Sequence, residues 1–174
     1  SLLGYQYIHE CAANPAIHAI AHDYITRDVI ACLADSPIDL AAYRDTVLSR
    51  FANPVIMDTN QRVAMDGYSK IPGFIAPTIR ESLVAGRPID ASATLAALFL
   101  AFLQRWANGL IPYHYEDQAM NPATVHAMCA APDPVAAFAA DASLWGDLAG
   151  SDRLTQALRD AHSRVGQFID EHSV

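Results

Sequence analysis

DASATLAALFLAFLQRWANG, residues Asp90 to Gly109, is the stretch on which the fold turns. Its apolar residues recur without a polar side from Leu95 to Leu103, and Asn108-Gly109 is a favourable pair for ending a helix. A helix that is apolar all round belongs at the centre of a domain, so this one is expected to form the core. The apolar run is only about half of the ~20 residues needed to cross a bilayer, which excludes it as a membrane span.

Outward from that helix the dominant local signal is again helical. There are 32 alanines, and apolar residues step by three and four with no convincing alternation, which predicts an all-α fold. A first helix ends near Ala13 at Asn14-Pro15, and the next carries Ile17, Ala21, Ile25, Val29 and Leu33 as one face. Asp39 is placed to cap a third, whose Leu40, Tyr43, Val47, Leu48 and Phe51 have the spacing to face inward. Residues 58–77 read as irregular, because Gly67, Pro72, Gly73 and Pro77 interrupt them. Helices follow at Pro77 to Val84, ending near Gly86, and around Pro122 to Ala130 and Pro134 to Ala140. A final helix is capped by Ser151 or Asp152, with Leu154, Leu158, Ala161, Val165 and Phe168 as its apolar stripe.

Composition narrows the function. The 174 residues, 52% hydrophobic and 17% charged, suit one core, and no internal repeat or linker divides them. Eleven basic against nineteen acidic residues give a net charge of −8, with no basic cluster to track phosphates, so nucleic acid is not an expected partner. Cys11, Cys32 and Cys129 are odd in number and form no CxxC pair, which fits a reducing cytoplasm. No GxGxxG fingerprint and no P-loop is present, so a nucleotide cofactor has no binding fold within these residues. Ser1 does not read as a natural start: SLLGYQYI resembles the middle of a buried element rather than a signal peptide, and a segment is expected upstream.

Two places hold residues of chemical interest. His18 and His22 stand at i and i+4, a metal-binding spacing, but neither the Glu of an HExxH motif nor a third ligand accompanies them, and ordinary surface or interface histidines are the better reading. His114, among aromatics, is the least bland of the others. The segment from Arg50 to Pro72 is richer and holds the chain's single lysine, Lys70. In a chain that otherwise uses arginine, a lysine between Gly67 and Pro72 suggests a need for a compact ammonium. Arg62, eight residues earlier, can serve the same ligand with its planar fork, a pairing suited to several hydroxyls or a carboxylate. The alternative is that Arg62 pairs structurally with Asp58 or Asp66.

YQYIHE (residues 5–10), the Arg50 to Pro72 segment and FIAPTIR (residues 74–80) resemble the long-chain mannitol dehydrogenase family. So do DQAM (residues 117–120), DPVAAF (residues 133–138) and LWGDLAG (residues 144–150), and the likeness covers nearly the whole chain. YQYIHE, DTNQRVAMDG and SKIPGFIAPTIRE are similar to the D-arabinitol branch above the mannitol 2-dehydrogenase and fructuronate reductase branches. Tyr68, where many members have Ser, goes with that branch.

The resemblance implies that residues 1–174 are the helical, substrate-side C-terminal domain of a polyol dehydrogenase, of the 6-phosphogluconate dehydrogenase C-terminal-like type. An N-terminal Rossmann domain outside these residues would bind NAD. A secondary alcohol, D-arabinitol to D-xylulose first among the candidates, would be oxidised without a metal. The resemblance assigns substrate binding to Arg62 and Lys70 and places the general-base Lys, with an Asn and a His, upstream of Ser1, so that no catalytic residue and no cofactor-binding residue lies in this chain. A non-catalytic helical interaction module is the competing expectation from another class.

Overall fold

The computed structural model describes residues 2–173, and all their regular elements are helical. The helix at the centre, numbered α8 in the full order given below, spans Asp90–Ala107. Ala93, Ala96, Leu100 and Leu103 are fully buried along it, and alanines at those places let another helix come close. The long C-terminal helix Asp152–His172 fills that space with Leu154, Leu158, Ala161, Val165 and Ile169. Ile169 takes the last buried place that the sequence pattern gave to Phe168, which is half-buried and stacks on His172 at 4.4 Å between ring centroids.

The helices in chain order are α1 (Ile8–Ala13), α2 (Pro15–Asp23), α3 (Ile30–Cys32), α4 (Leu40–Phe51), α5 (Asn60–Ala64), α6 (Gly67–Lys70), α7 (Ala76–Val84), α8, α9 (Pro122–Cys129), α10 (Pro134–Ala139), α11 (Ala142–Trp145) and α12 (Asp152–His172). Local chemistry ends them where expected. Asn14 caps α2 by accepting from the Ala16 and Ile17 amides, Asp39 caps α4 from Ala42, and Ser151 caps α12 from Leu154. Gly109, at φ 68°, closes α8: its amide donates to the Trp106 carbonyl while that of Leu110 donates to Arg105, which satisfies two carbonyls the helix leaves open. Among the described residues no helix is long and apolar enough to cross a membrane.

Three expectations from periodicity fail. The second helical segment is interrupted by a wide π turn, Tyr24–Val29, so its register shifts and the expected face does not pack as one stripe. Asp28 is buried instead, and Leu33 is 48% exposed. Asp28 Oδ2 accepts from the Ser92 amide (2.7 Å) and hydroxyl (2.6 Å), capping α8 from a distance because Ile89, at its own N-cap, has no acceptor. Tyr43 and Phe51 of α4 are 60% and 50% exposed, and only Leu48 of the expected inward set is buried. They line a surface pocket of about 390 Å³ with Ile8, Val47 and Ile56, because α4 leans on α1, α2 and the first π turn along one edge only.

The third correction concerns residues 58–77, which are helical for most of their length. Gly67–Lys70 runs through a second π turn, Ile71–Ile75, into α7 without leaving helical geometry. Pro72 and Pro77 cannot donate an amide, and a proline ring presses on the carbonyl four residues back. The wider turn, in which Ala76 donates to Ile71 five residues back, lets the chain continue.

Candidate functional site

The candidate site begins with a short backbone pairing. Tyr7 and Thr59 form an isolated antiparallel bridge, with Ile8 donating to Asp58 (2.9 Å) and Asn60 to Gln6 (2.9 Å). Asn60 Nδ2 adds a bond to the Tyr5 carbonyl (2.9 Å), so the start of the described chain holds the start of α5. Thr59 caps α5 by accepting the Arg62 amide. Arg62 then projects from that helix with its guanidinium forked onto Asp58, Nε to Oδ1 at 2.5 Å and Nη2 to Oδ2. That hydrogen bond, reinforced by the arginine's charge, holds the Asp58 carboxyl below the usual carboxylate range.

Eight residues on, in α6, Lys70 Nζ meets Asp66 Oδ1 at 2.6 Å and donates to the Val63 carbonyl at 2.8 Å. Asp66 is held below its ordinary range by Lys70 first and by the charge of Arg62 to a lesser degree, so one carboxylate feels both cations. Gly67 lets α6 settle on α8, since a Cβ there would stand 2.7 Å from Phe99 Cε2.

Beside these pairs lies a cleft of about 550 Å³ whose walls include Arg62, Asp66, Ser69, Glu116, Asp117 and Gln118. Lys70 is joined to it through Asp66. Both cations found in the sequence are thus brought to one locality, each with a carboxylate partner. Donors and acceptors set side by side in this way suit a neutral, many-hydroxyl molecule, whose O–H groups donate to carboxylates and accept from cations. The far wall, from the segment after α8, is what the sequence reading missed. His114 stood out there and DQAM entered the resemblance, but nothing in the spacing announced that Asp117 reaches Tyr68.

Other sequence candidates lie apart or play local parts. His114 pairs with Glu116 at 2.8 Å in full exposure, and its carbonyl accepts from Gln61. His18 and His22 stack with centroids 6.1 Å apart, and no group of three metal-binding side chains gathers among the described residues. Tyr68 is buried and turned from the cleft: its hydroxyl donates to Asp141 (2.9 Å) beside Ser143 (3.3 Å), tying α6 to α11.

Burial pushes the Tyr68 phenol up to about 12, with the Asp141 carboxylate adding to the shift. A folded-state value above the ordinary 10.0 means a stabilising preference for the neutral phenol, fully present below pH 10.0 and lost as pH rises toward about 12. Tyr68→Phe is therefore expected to flatten the fall in stability across that window in urea unfolding, although Tyr115, raised by burial and by Asp117, keeps part of the slope. An unchanged slope in the variant would contradict the buried phenol.

The family described as the mannitol dehydrogenase C-terminal domain matches residues 1–165. A D-arabinitol 4-dehydrogenase of Ralstonia nicotianae is 54% identical over 95% of this chain and 36% of its own length. A second D-arabinitol 4-dehydrogenase, of Klebsiella pneumoniae, is 49% identical over 98% of this chain and 37% of its own. The chain therefore spans little more than a third of these curated relatives. The solved mannitol 2-dehydrogenase of Pseudomonas fluorescens, a ternary complex with NAD and D-mannitol, superposes with a TM-score of 0.85 at 26% identity, over 98% of this chain and 35% of that one.

Proposed function

Because this chain belongs to the mannitol dehydrogenase C-terminal domain family, we propose that it is the polyol-side domain of an NAD-dependent dehydrogenase that oxidises D-arabinitol to D-xylulose. The observation that carries the choice of polyol is the contrast in identity: 54% and 49% to two D-arabinitol 4-dehydrogenases against 26% to a mannitol 2-dehydrogenase.

In this reading the cleft beside α5 and α6 takes the polyol. Arg62 and Lys70 donate to its hydroxyl oxygens, and Asp66 accepts from one of its O–H groups while keeping Lys70 in place, as Asp58 does Arg62. Residues 2–173 hold neither a strand nor a glycine-rich strand-to-helix turn, so they do not fit NAD, and its binding is assigned to a Rossmann domain elsewhere in the full-length protein. NAD supplies the hydride acceptor, and the hydride transfer proposed here uses no metal. A general base must lie in hydrogen-bond reach of the carbinol proton, and Lys70, whose Nζ is engaged by Asp66 and the Val63 carbonyl, is assigned to binding instead. The base is assigned outside this chain, which alone is expected to be inactive. Three unpaired cysteines accord with a reducing cytoplasm as its location.

The test is NADH formation by the full-length protein offered D-arabinitol, D-mannitol, D-sorbitol, xylitol and D-mannonate in turn. Preference for D-arabinitol is the expected result. Preference for mannitol or mannonate would keep the family and move the substrate, and no reduction with any of them would favour an interaction module.

A further inference from the structure

Asp66 occupies the N-cap of α6, yet its side chain does not cap that helix. An aspartate there ordinarily accepts from the amides of the second and third helical residues, here Tyr68 and Ser69. Its carboxylate is instead committed to Lys70 Nζ. The vacant role is filled from 49 residues away: Asp117 Oδ2 accepts the Tyr68 amide at 2.7 Å and the Tyr115 hydroxyl at 3.1 Å, while its Oδ1 accepts the Ala119 amide at 3.0 Å. All three partners are donors, and Asp117 is 8% exposed at the wall of the cleft.

We infer that Asp117 is a positioning residue for the polyol site: by capping α6 in place of Asp66, it leaves Asp66, at the wall of the cleft, free to hold Lys70 beside it. This rests on the proposed polyol role of Lys70. Without Asp117, the Tyr68 amide is a buried donor lacking a partner, and Asp66, at the N-cap two residues before it, is the acceptor that local capping would supply. Asp66 then turns inward to the helix and Lys70 loses its anchor. The same logic makes asparagine a poor substitute. Either orientation of its amide sets an Nδ2 group against a fixed backbone N–H, of Tyr68 or of Ala119, and one bond is lost.

The experiment is a double-mutant cycle in the full-length enzyme, with Asp117→Ala, Lys70→Met and the pair, reading kcat/KM for the preferred polyol. Asp117→Ala is expected to lower kcat/KM about tenfold alone and less than about twofold when Lys70 is already methionine, since coupled residues are non-additive. Another tenfold loss in the double variant would overturn the inference and leave the polyol-site reading intact. Wild-type kinetics in Lys70→Met would overturn both. Should Asp117→Ala fail to fold, the near-isosteric Asp117→Asn runs the same cycle with the same two outcomes. Hydrogen exchange gives an arm that does not depend on activity. The peptide containing Tyr68 is expected to exchange faster in Asp117→Asn and to be unchanged in Lys70→Met, and unchanged exchange in both would remove the capping role.

Discussion

Replacing Lys70 by alanine in the full-length enzyme is expected to lower kcat/KM for D-arabinitol about a hundredfold with little change in stability. The functional loss follows from the chemistry: a hydrogen bond to a charged group contributes roughly 1.5–3 kcal/mol, and each ~1.4 kcal/mol is a factor of ten. The small structural effect follows from the setting. Lys70 and Asp66 form a partly solvent-exposed i, i+4 pair, 39% and 67% exposed, and surface pairs contribute about 0–1 kcal/mol. Arg62→Ala should behave alike, since Arg62 is 69% exposed and its fork onto Asp58 lies at the surface. KM for NAD should stay at the wild-type value in both, because no residue near the cleft is assigned to the cofactor. Lys70→Arg is not expected to rescue, as a wide planar fork does not replace a compact ammonium between Asp66 and the Val63 carbonyl. Wild-type kinetics in both alanine variants would remove the cleft from consideration as the polyol site.

The largest loss of stability is expected from Trp145→Ala, about 3–5 kcal/mol in urea unfolding, the usual range for truncating a fully buried large aromatic residue. Trp145 has no exposed surface, and its ring meets that of Phe138 edge to face at 5.5 Å. Its indole N–H donates to the Phe138 carbonyl at 2.9 Å, so truncation leaves a cavity and removes one bond to a carbonyl that still accepts from the Asp141 amide. The consequence reaches the site, because α11, which carries Trp145, packs on the π turn Ile71–Ile75 that follows Lys70. Trp145→Phe keeps much of the packing and loses the donor, and it should fall between the two. A loss below about 1 kcal/mol in the alanine variant would contradict this core.

Much of the secondary structure is legible in the sequence, and the reason is local. Asn14-Pro15, Asp39, Asn108-Gly109 and Ser151 end or begin helices through hydrogen bonds made within a few residues, so their meaning is carried by the residues themselves. The all-apolar run from Leu95 to Leu103 likewise could satisfy its surroundings only in a core, and α8 lies there. Lys70 could be singled out because one lysine among ten arginines is a chemical signal needing no neighbours, and Arg62 because it lies eight residues before it.

What tertiary structure decided rests on contacts without a sequence period. Two π turns shift helical register, which buries Asp28 and exposes Leu33 against the pattern of their apolar spacing. Tyr43 and Phe51 have inward spacing, yet no described element covers their side of α4, and periodicity gives a helix face without naming what packs on it. Asp28 caps a helix 64 residues away, and Asp117 caps one 49 residues back. By itself the sequence determined most of the helices, the ends that local caps set, and the two candidate cations. Which carboxylate holds each cation, and which one is released to do so, was decided by folding, because a buried donor takes whatever acceptor the packed chain brings within reach.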